Sequence, residues 1–495
     1  MTEQISTPRS WIERLWSSIA DRGRPYAAVP AEAMPGLERA ALLAQALLAG
    51  HGEASGAALA RELLAVLLRL TPEDRLRFER DLATGFLPDP DLLRQAAEAY
   101  LADPHDPATA ARLAQAAEPP RQELLRRMNM SPGGTAALVA MRKELLGRLR
   151  DNPELKALDS DLHHLFASWF NRGFLELRRI DWQTPAAVLE KLIAYEAVHE
   201  IQGWEDLRRR LAPDRRCFGF FHPALPGEPL IFVQVALTEG LAAAVQPLLA
   251  PDGGEDATRA REARADTAIF YSISNCQDGL RGVSFGNFLI KQVVEELRAE
   301  LPGLVRFSTL SPVPGFRRWL DKWLAEEKDE AGSDLLRADK RGAVFQAAGM
   351  PEDADDDSVA LRALLHSASW HTNPASVVAL LQPVLRACAT FLTQKSGTRP
   401  PADPVARFHL GNGARLERVN WLGNVSARGM RESYGVMVNY LYDLTSIEAN
   451  HEVFARNGTV VRSPAVDALM AVPPAEPQAE RTARRFGRLY GARNE

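Results

Sequence analysis

The sequence predicts an α-helical domain followed by an α/β domain that carries a helical insertion. Three observations support this. Ala, Leu, Arg and Glu dominate from Pro35 to about Arg179, with few β-branched residues. After Cys217, short runs rich in Val, Ile, Phe and Tyr follow one another, bounded by Pro, Gly and Asn. From Trp319 to about Thr393 the pattern turns helical again. The expected domains are residues 1–175, helical and suited to oligomerisation; 176–470, α/β with the helical insertion; and 471–495, a flexible Pro-, Ala- and Arg-rich tail.

In the helical part, Leu59, Leu63, Leu67 and Leu70 recur at helical spacing. Thr71-Pro72-Glu73-Asp74 reads as a helix start, with a threonine cap, a proline in the first turn and acids after it. This part shows no catalytic constellation and reads as a packing bundle. His163-His164 has no third ligand at useful spacing for a metal. Later strands are expected at 217–222, 230–237, 267–274, 304–310, 405–410, 415–421 and 434–442. The 405–410 and 415–421 runs flank Asn412-Gly413 and predict a hairpin. Residues 251–266 read as a mobile charged connection, and Glu352 to Asp357 as an acidic loop.

Composition narrows the function classes. The chain has 495 residues, 46% apolar and 25% charged, with a net charge of −5. These proportions exclude a disordered or collagen-like chain. The charge balance gives no bulk attraction to nucleic acid or an anionic membrane. Cys217, Cys276 and Cys388 are far apart and form no CxxC pair. No disulfide framework or zinc site is therefore expected, and a reducing cytoplasm fits. The N-terminus has no secretory signal pattern. Ala40 to Ala49 reads as the longest apolar stretch and is too short to span a bilayer.

Residues 267–311 are the most informative: strand, glycine-rich turn, helix, strand. The turn, Gln277 to Asn287, contains Gly279, Gly282 and Gly286, and the helix is expected from Phe288 to about Leu301. Glycines permit close backbone approach and positive φ. A helix N-terminus just after such a turn is an anion site suited to a phosphate or pyrophosphate. Arg281 adds a charge. The pattern is neither GxGxxG nor a P-loop. A glycine turn that only packs a helix against a strand is the plain alternative.

Ser311 ends the next strand and is followed by Pro312 and Pro314, which hold it on a rigid backbone. Ligands of open α/β sheets lie at strand ends. His409, in Phe408-His409-Leu410-Gly411-Asn412-Gly413, can give or take a proton near neutral pH. Ser311 as a turn cap and His409 as a loop anchor are the competing structural readings. His199, His222 and His409 have the most structured surroundings, and spacing does not choose among them.

The turn resembles the one by which GCN5-related acetyltransferases hold the CoA pyrophosphate. Longer blocks resemble the malonyl-CoA decarboxylase family over roughly residues 170–445. They are Tyr195 to Leu211, Asp214 to Thr238, Phe270 to Lys291, Phe307 to Phe316, Asn373 to Val384, Phe408 to Gly429 and Ser433 to Tyr442. The resemblance implies a helical domain followed by a catalytic domain of the GCN5-related acetyltransferase (GNAT) fold. It implies conversion of malonyl-CoA to acetyl-CoA and carbon dioxide with no metal or organic cofactor.

By the same resemblance, Ser311 and His409 are the catalytic pair. The malonyl-CoA-binding segment is Arg281, Gly282, Val283, Ser284, Phe285, Gly286 and Asn287. His409 is expected to protonate the enolate carbon, and Ser311 to position the malonyl carboxylate or accept a proton from it. The expected assembly is a homodimer or homotetramer, with no nucleic-acid or membrane partner. The chain shows no transit peptide and no peroxisomal tripeptide, so a bacterial-type cytoplasmic member is expected. The competing readings are a GNAT-type acyl-CoA-dependent acyltransferase and a non-catalytic CoA-binding scaffold.

Overall fold

The computed structural model describes residues 11–27, 29, 33–50, 52–251, 253–283, 289–326, 335–336, 338–351, 356–394 and 403–471. The chain divides into two compact units. One comprises residues 1–237, 251–263 and 272–302; the other comprises 238–250, 264–271 and 303–495. The expected tail after Ala471 and most of the expected acidic loop lie outside the described residues.

The first unit opens with helices, among them Gly36–Ala49, Glu53–Arg69, Pro72–Gly85, Pro120–Asn129, Gly134–Arg148 and Lys156–Trp169. Thr71 caps the Pro72 helix as expected, its side chain accepting from the Asp74 amide at 3.1 Å. Leu43, Leu63, Leu82, Leu124, Leu125, Leu138, Leu145 and Leu162 are fully buried. Removing each from water contributes about 1.5–3 kcal/mol. Such packing, more than propensity, holds helices of this length.

Three strands follow: β1 (Glu176–Ile180), β2 (Arg215–Phe221) and β3 (Pro229–Thr238). They form an antiparallel meander, with Ile180 opposite Cys217 and Cys217 opposite Gln234. β1 corrects the expectation of continuous helix to Arg179. Its residues are mostly polar and exposed, so its order comes from backbone pairing along β2 rather than from its own pattern. The expected mobile connection is also corrected: Glu255–Arg264 is a helix. Arg261 binds Asp214 at 2.7 Å, and Glu262 binds Arg216 at 2.5 Å, which fastens it to the start of β2.

β4 (Thr267–Asn275) belongs to both units, its residues 267–271 to the second and 272–275 to the first. In the second unit β4 pairs in parallel with β5 (Arg306–Thr309), Phe270 lying opposite Thr309. The two-residue β6 (Ser311–Pro312), β7 (Arg415–Asn420) and β8 (Met437–Leu441) complete this part of the sheet. β8 pairs antiparallel with β5, β6 and β7. The strand–turn–helix–strand unit is present, its helix running Leu289–Glu300 with Leu289, Val293, Val294 and Leu297 buried. The helical insertion is present as helices Phe316–Glu326, Ala338–Ala348, Asp357–His366 and Pro374–Thr393.

The last of these has 20 residues and a mean hydropathy of 1.6 across its apolar window, so Ala40 to Ala49 is not the longest apolar stretch. It is long and apolar enough to cross a membrane, yet 67% of that window is buried within the protein. Arg386 on it donates to the Leu469 carbonyl at 3.2 Å. This is the pattern of a core helix.

The expected hairpin is not formed. Residues Pro404–Gly411 are a helix, and only β7 of the two runs is a strand. Asp403 accepts from the Ala406 amide at 2.7 Å and Pro404 occupies the first turn, the same start signal seen at Thr71-Pro72. The apolar Phe408–Leu410 run is therefore the last turn of a helix. Gly413 then turns the chain with φ +82°, and a Cβ placed there would lie 2.2 Å from the Ile447 carbonyl oxygen.

Two outcomes follow for stability. Gly413→Ala should lower unfolding free energy by about 1–3 kcal/mol through strain and overpacking. An unchanged urea midpoint would contradict the turn geometry. The second concerns the helix cap. Burial raises the Asp403 carboxyl to about 6, against the pull of the Ala406 and Val405 amides. The folded state therefore holds this proton across about pH 4–6, where the unfolded carboxyl loses it. The resulting stability is present below about pH 4 and lost as pH rises through about 6. Asp403→Asn keeps a good cap and removes the titration. The parent-minus-variant unfolding free energy should fall between pH 4 and 7; a constant difference would refute this assignment.

Candidate active site

In the second unit, a chain of hydrogen bonds joins four elements. Thr309 ends β5 and Ser311 opens β6, which pairs with Val438 of β8. His409 lies in the last turn of the Pro404–Gly411 helix, and Tyr442 follows β8. Ser311 Oγ lies 3.1 Å from His409 Nε2. His409 Nδ1 lies 2.8 Å from the Tyr442 hydroxyl. Ser311 and His409 are 5% and 3% exposed, so these contacts are made away from bulk water.

The neighbours decide where the protons sit. Ser311 donates its hydroxyl proton to Thr309 Oγ1 at 2.9 Å. Thr309 Oγ1 also accepts from the Tyr440 amide at 3.1 Å, which fixes its orientation. With its proton engaged there, Ser311 faces His409 with a lone pair. Nε2 is then the protonated ring nitrogen, and Nδ1 accepts from the Tyr442 hydroxyl. The imidazole stacks on Tyr440, ring centroids 4.8 Å apart at 24°.

Burial lowers the His409 pKa to about 3, so the ring is neutral at physiological pH. Its place in the last helical turn would favour a cation, but desolvation outweighs that. Burial also holds the Tyr442 phenol proton well above its ordinary range. The result is a neutral, oriented N–H donor beside a hydroxyl. Such a group can polarise a carbonyl or deliver a proton.

The other two structured histidines belong to the first unit. His222 Nε2 faces the Trp169 carbonyl at 3.1 Å and its Nδ1 accepts from the Ala224 amide. The His199 amide donates to Glu196 at 3.0 Å. Glu196 is buried and accepts from Ser272 at 2.7 Å and Ser274 at 3.1 Å. These bonds tie the Tyr195–Leu211 block to the end of β4, just before the glycine turn.

That turn lies in the first unit. Arg281, Gly282 and Val283 are described; Ser284, Phe285, Gly286 and Asn287 lie outside the described residues. The Arg281 side chain is exposed, 3.7 Å from Asp278. The helical segment builds this turn, a role the sequence did not disclose. A Cβ at Gly279 would lie 2.0 Å from the Val139 carbonyl oxygen, so the Gly134–Arg148 helix and the turn touch backbone to backbone. Arg142, buried, donates to the carbonyls of Gly279 at 2.8 Å and Arg281 at 2.9 Å, and binds Asp159 at 2.7 Å. His163 Nε2 lies 3.1 Å from the Gly282 carbonyl, which is where one of the paired histidines is placed.

Sequence reasoning named Ser311 and His409 and missed Thr309, Tyr440, Tyr442, Arg142 and His163. Tyr440 and Tyr442 lie inside the quoted Ser433–Tyr442 block, and their two-residue spacing put both on one strand face. Nothing local pointed to Arg142.

A family model described as the malonyl-CoA decarboxylase C-terminal domain matches residues 173–481. Another, the malonyl-CoA decarboxylase N-terminal domain, matches residues 86–170. The chain is 39% identical over 341 residues to the mitochondrial malonyl-CoA decarboxylase of Anser anser anser, covering 68% of this chain and 66% of that protein. A crystal structure of malonyl-CoA decarboxylase from Rhodopseudomonas palustris is 49% identical, with a TM-score of 0.76, over 88% of this chain and 100% of that one. The corresponding structure from Agrobacterium vitis is 48% identical, with the same TM-score and the same coverage. With a match across more than half its length, the chain belongs to the malonyl-CoA decarboxylase family.

Proposed function

We propose that the Ser311–His409–Tyr442 chain carries out the decarboxylation step. The chain of 495 residues is a malonyl-CoA decarboxylase, a carboxy-lyase that converts malonyl-CoA to acetyl-CoA and carbon dioxide. The single observation behind the assignment of roles is a neutral, buried imidazole whose Nε2–H is fixed by Tyr442 behind it.

Breaking the bond between the malonyl carboxylate carbon and the α-carbon leaves the electron pair on the thioester as an enolate. The enolate carbon is a far stronger base than a neutral imidazole. The Nε2 proton of His409 forms the new C–H bond, and Nδ1 takes the Tyr442 proton as Nε2 loses its own. After product leaves, Nδ1 returns its proton to Tyr442 and solvent supplies a proton to Nε2, which restores the starting tautomer. One proton is consumed per turnover, which balances malonyl-CoA plus a proton against acetyl-CoA plus carbon dioxide. Ser311 holds the Nε2 proton in the free enzyme and turns its hydroxyl to the malonyl carboxylate when substrate is present. The turn at Arg281–Asn287 holds the CoA phosphates. The bacterial-type reading is supported by the higher identity to the two bacterial structures than to the goose enzyme. The cytoplasmic reading is supported by three buried, free cysteines.

The test is turnover of malonyl-CoA without an acyl acceptor, following acetyl-CoA and carbon dioxide. Stoichiometric products support the decarboxylase. Product that appears only when an amine or carrier is added would make it an acyltransferase. His409→Ala should lower kcat by about 10²–10⁴-fold, the range for losing a positioned proton donor. Ser311→Ala should cost about 10- to 100-fold, the loss of a hydrogen bond to a charged group. Parent turnover in either variant would remove that residue from the mechanism.

The pH profile gives a separate check. With its pKa lowered to about 3, His409 is already neutral throughout the working range. The kcat/KM profile should therefore show no His409 limb near the ordinary histidine value of about 6.5. A limb there that vanishes in His409→Gln would contradict a neutral donor.

A further inference from the structure

We infer that Arg142, from the helical segment, is a positioning residue for substrate binding. It selects the turn form that aims the Gly282 amide outward as a phosphate donor. This rests on the proposal that the turn receives the CoA phosphates.

The geometry runs through one peptide unit. Residues 280–283 form a β-turn closed by the Val283 amide donating to the Leu280 carbonyl at 3.0 Å. Arg281 has φ −55° and ψ 129°, and Gly282 has φ +83°. These are type II values, in which the third residue needs positive φ and is therefore glycine. Type I and type II turns differ by a flip of the central peptide, here the Arg281–Gly282 unit. Glycine accepts either form, so the Leu280–Val283 bond alone does not choose between them.

Arg142 supplies the choice. Its Nη1 donates to the Arg281 carbonyl at 2.9 Å and to the Gly279 carbonyl at 2.8 Å. The guanidinium is itself fixed by Asp159 at 2.7 Å, and Arg142 is only 3% exposed. In a trans peptide the C=O and N–H point in opposite directions. Drawing the Arg281 carbonyl onto Arg142 therefore turns the Gly282 N–H away from the helix. That amide has no hydrogen-bond partner among the described residues, and Gly282 is exposed. An outward N–H at the start of a glycine turn is suited to a phosphate oxygen. His163, 3.1 Å from the Gly282 carbonyl, braces the next peptide in the same way.

Losing this brace lets the central peptide flip and withdraws one donor from a charged ligand. Arg142→Gln should raise the KM for malonyl-CoA by about 10- to 100-fold, the range for one hydrogen bond to a charged group. Its kcat should stay within about threefold of the parent, the pattern for lost uniform binding. Malonyl-pantetheine, which lacks the phosphates, should show kcat/KM within about threefold of the parent in the same variant. Arg142→Lys, which offers a point charge in place of a planar fork, should fall between the two.

Equal losses on both substrates, or a fall in kcat at unchanged KM, would overturn the proposal. If Arg142→Gln does not fold, Gly282→Ala is the second variant, because it leaves the Arg142–Asp159 pair intact and disfavours the positive φ. It should raise the KM for malonyl-CoA, and a parent-like KM would overturn the proposal. Equilibrium Kd values for CoA and for pantetheine carry the same comparison without turnover. A parent enzyme that discriminates between them but makes no acetyl-CoA would refute the decarboxylase reading and leave the Arg142 comparison in force.

Discussion

The hydrogen bond between Tyr442 and His409 Nδ1 is the constraint on which the site depends. An imidazole in water titrates near neutrality and rotates freely. Here burial removes the charge, the 2.8 Å contact with Tyr442 holds the ring, and the Ser311 lone pair facing Nε2 sets the tautomer. Tyr440 stacks against one ring face, and Ser311, engaged with Thr309, meets the Nε2 proton. Removing Tyr442 or Ser311 would free a proton position, and removing Tyr440 would leave a cavity against the ring face. The two tyrosines come from the β8 segment, the same strand that pairs with β6 and holds Ser311 in register. One strand thus orients both Ser311 and His409, the proposed reactive pair.

The first unit obeys a different logic. Its helical segment looked like packing material, because its residues are Ala, Leu, Arg and Glu in amphipathic order. In the structure it also shapes the glycine turn, through Val139 against Gly279 and Arg142 against two carbonyls. A buried arginine has to satisfy several donors, and backbone carbonyls in a tight turn are what it finds. The same bonds that satisfy Arg142 orient the turn. In the proposed reading, structural satisfaction and ligand presentation are one set of contacts.

Much of this was legible in the sequence where pattern and packing agree. β2 and β3 are buried along nearly their whole length, and their runs rich in apolar residues announced them. The glycine turn and its amphipathic helix were legible for the same reason. β1 was not, because a polar edge strand takes its order from β2. The His409 helix was misread as a strand although Asp403-Pro404 carries a start signal; a short apolar run has no period to tell helix from strand. Ser311 and His409 stood out through the family resemblance. Tyr442 lies 33 residues from His409, and Arg142 lies 139 from Arg281, separations at which no local motif operates.

The most direct test is the protonation state of His409 itself. Histidine 15N NMR of the free enzyme at pH 7, assigned by the signals lost in His409→Gln, reads each ring nitrogen separately. The account predicts a neutral ring, with a pyrrole-type protonated Nε2 and a pyridine-type Nδ1 that accepts from Tyr442. An imidazolium signal at both nitrogens, or a proton on Nδ1 with Nε2 bare toward Ser311, would contradict it.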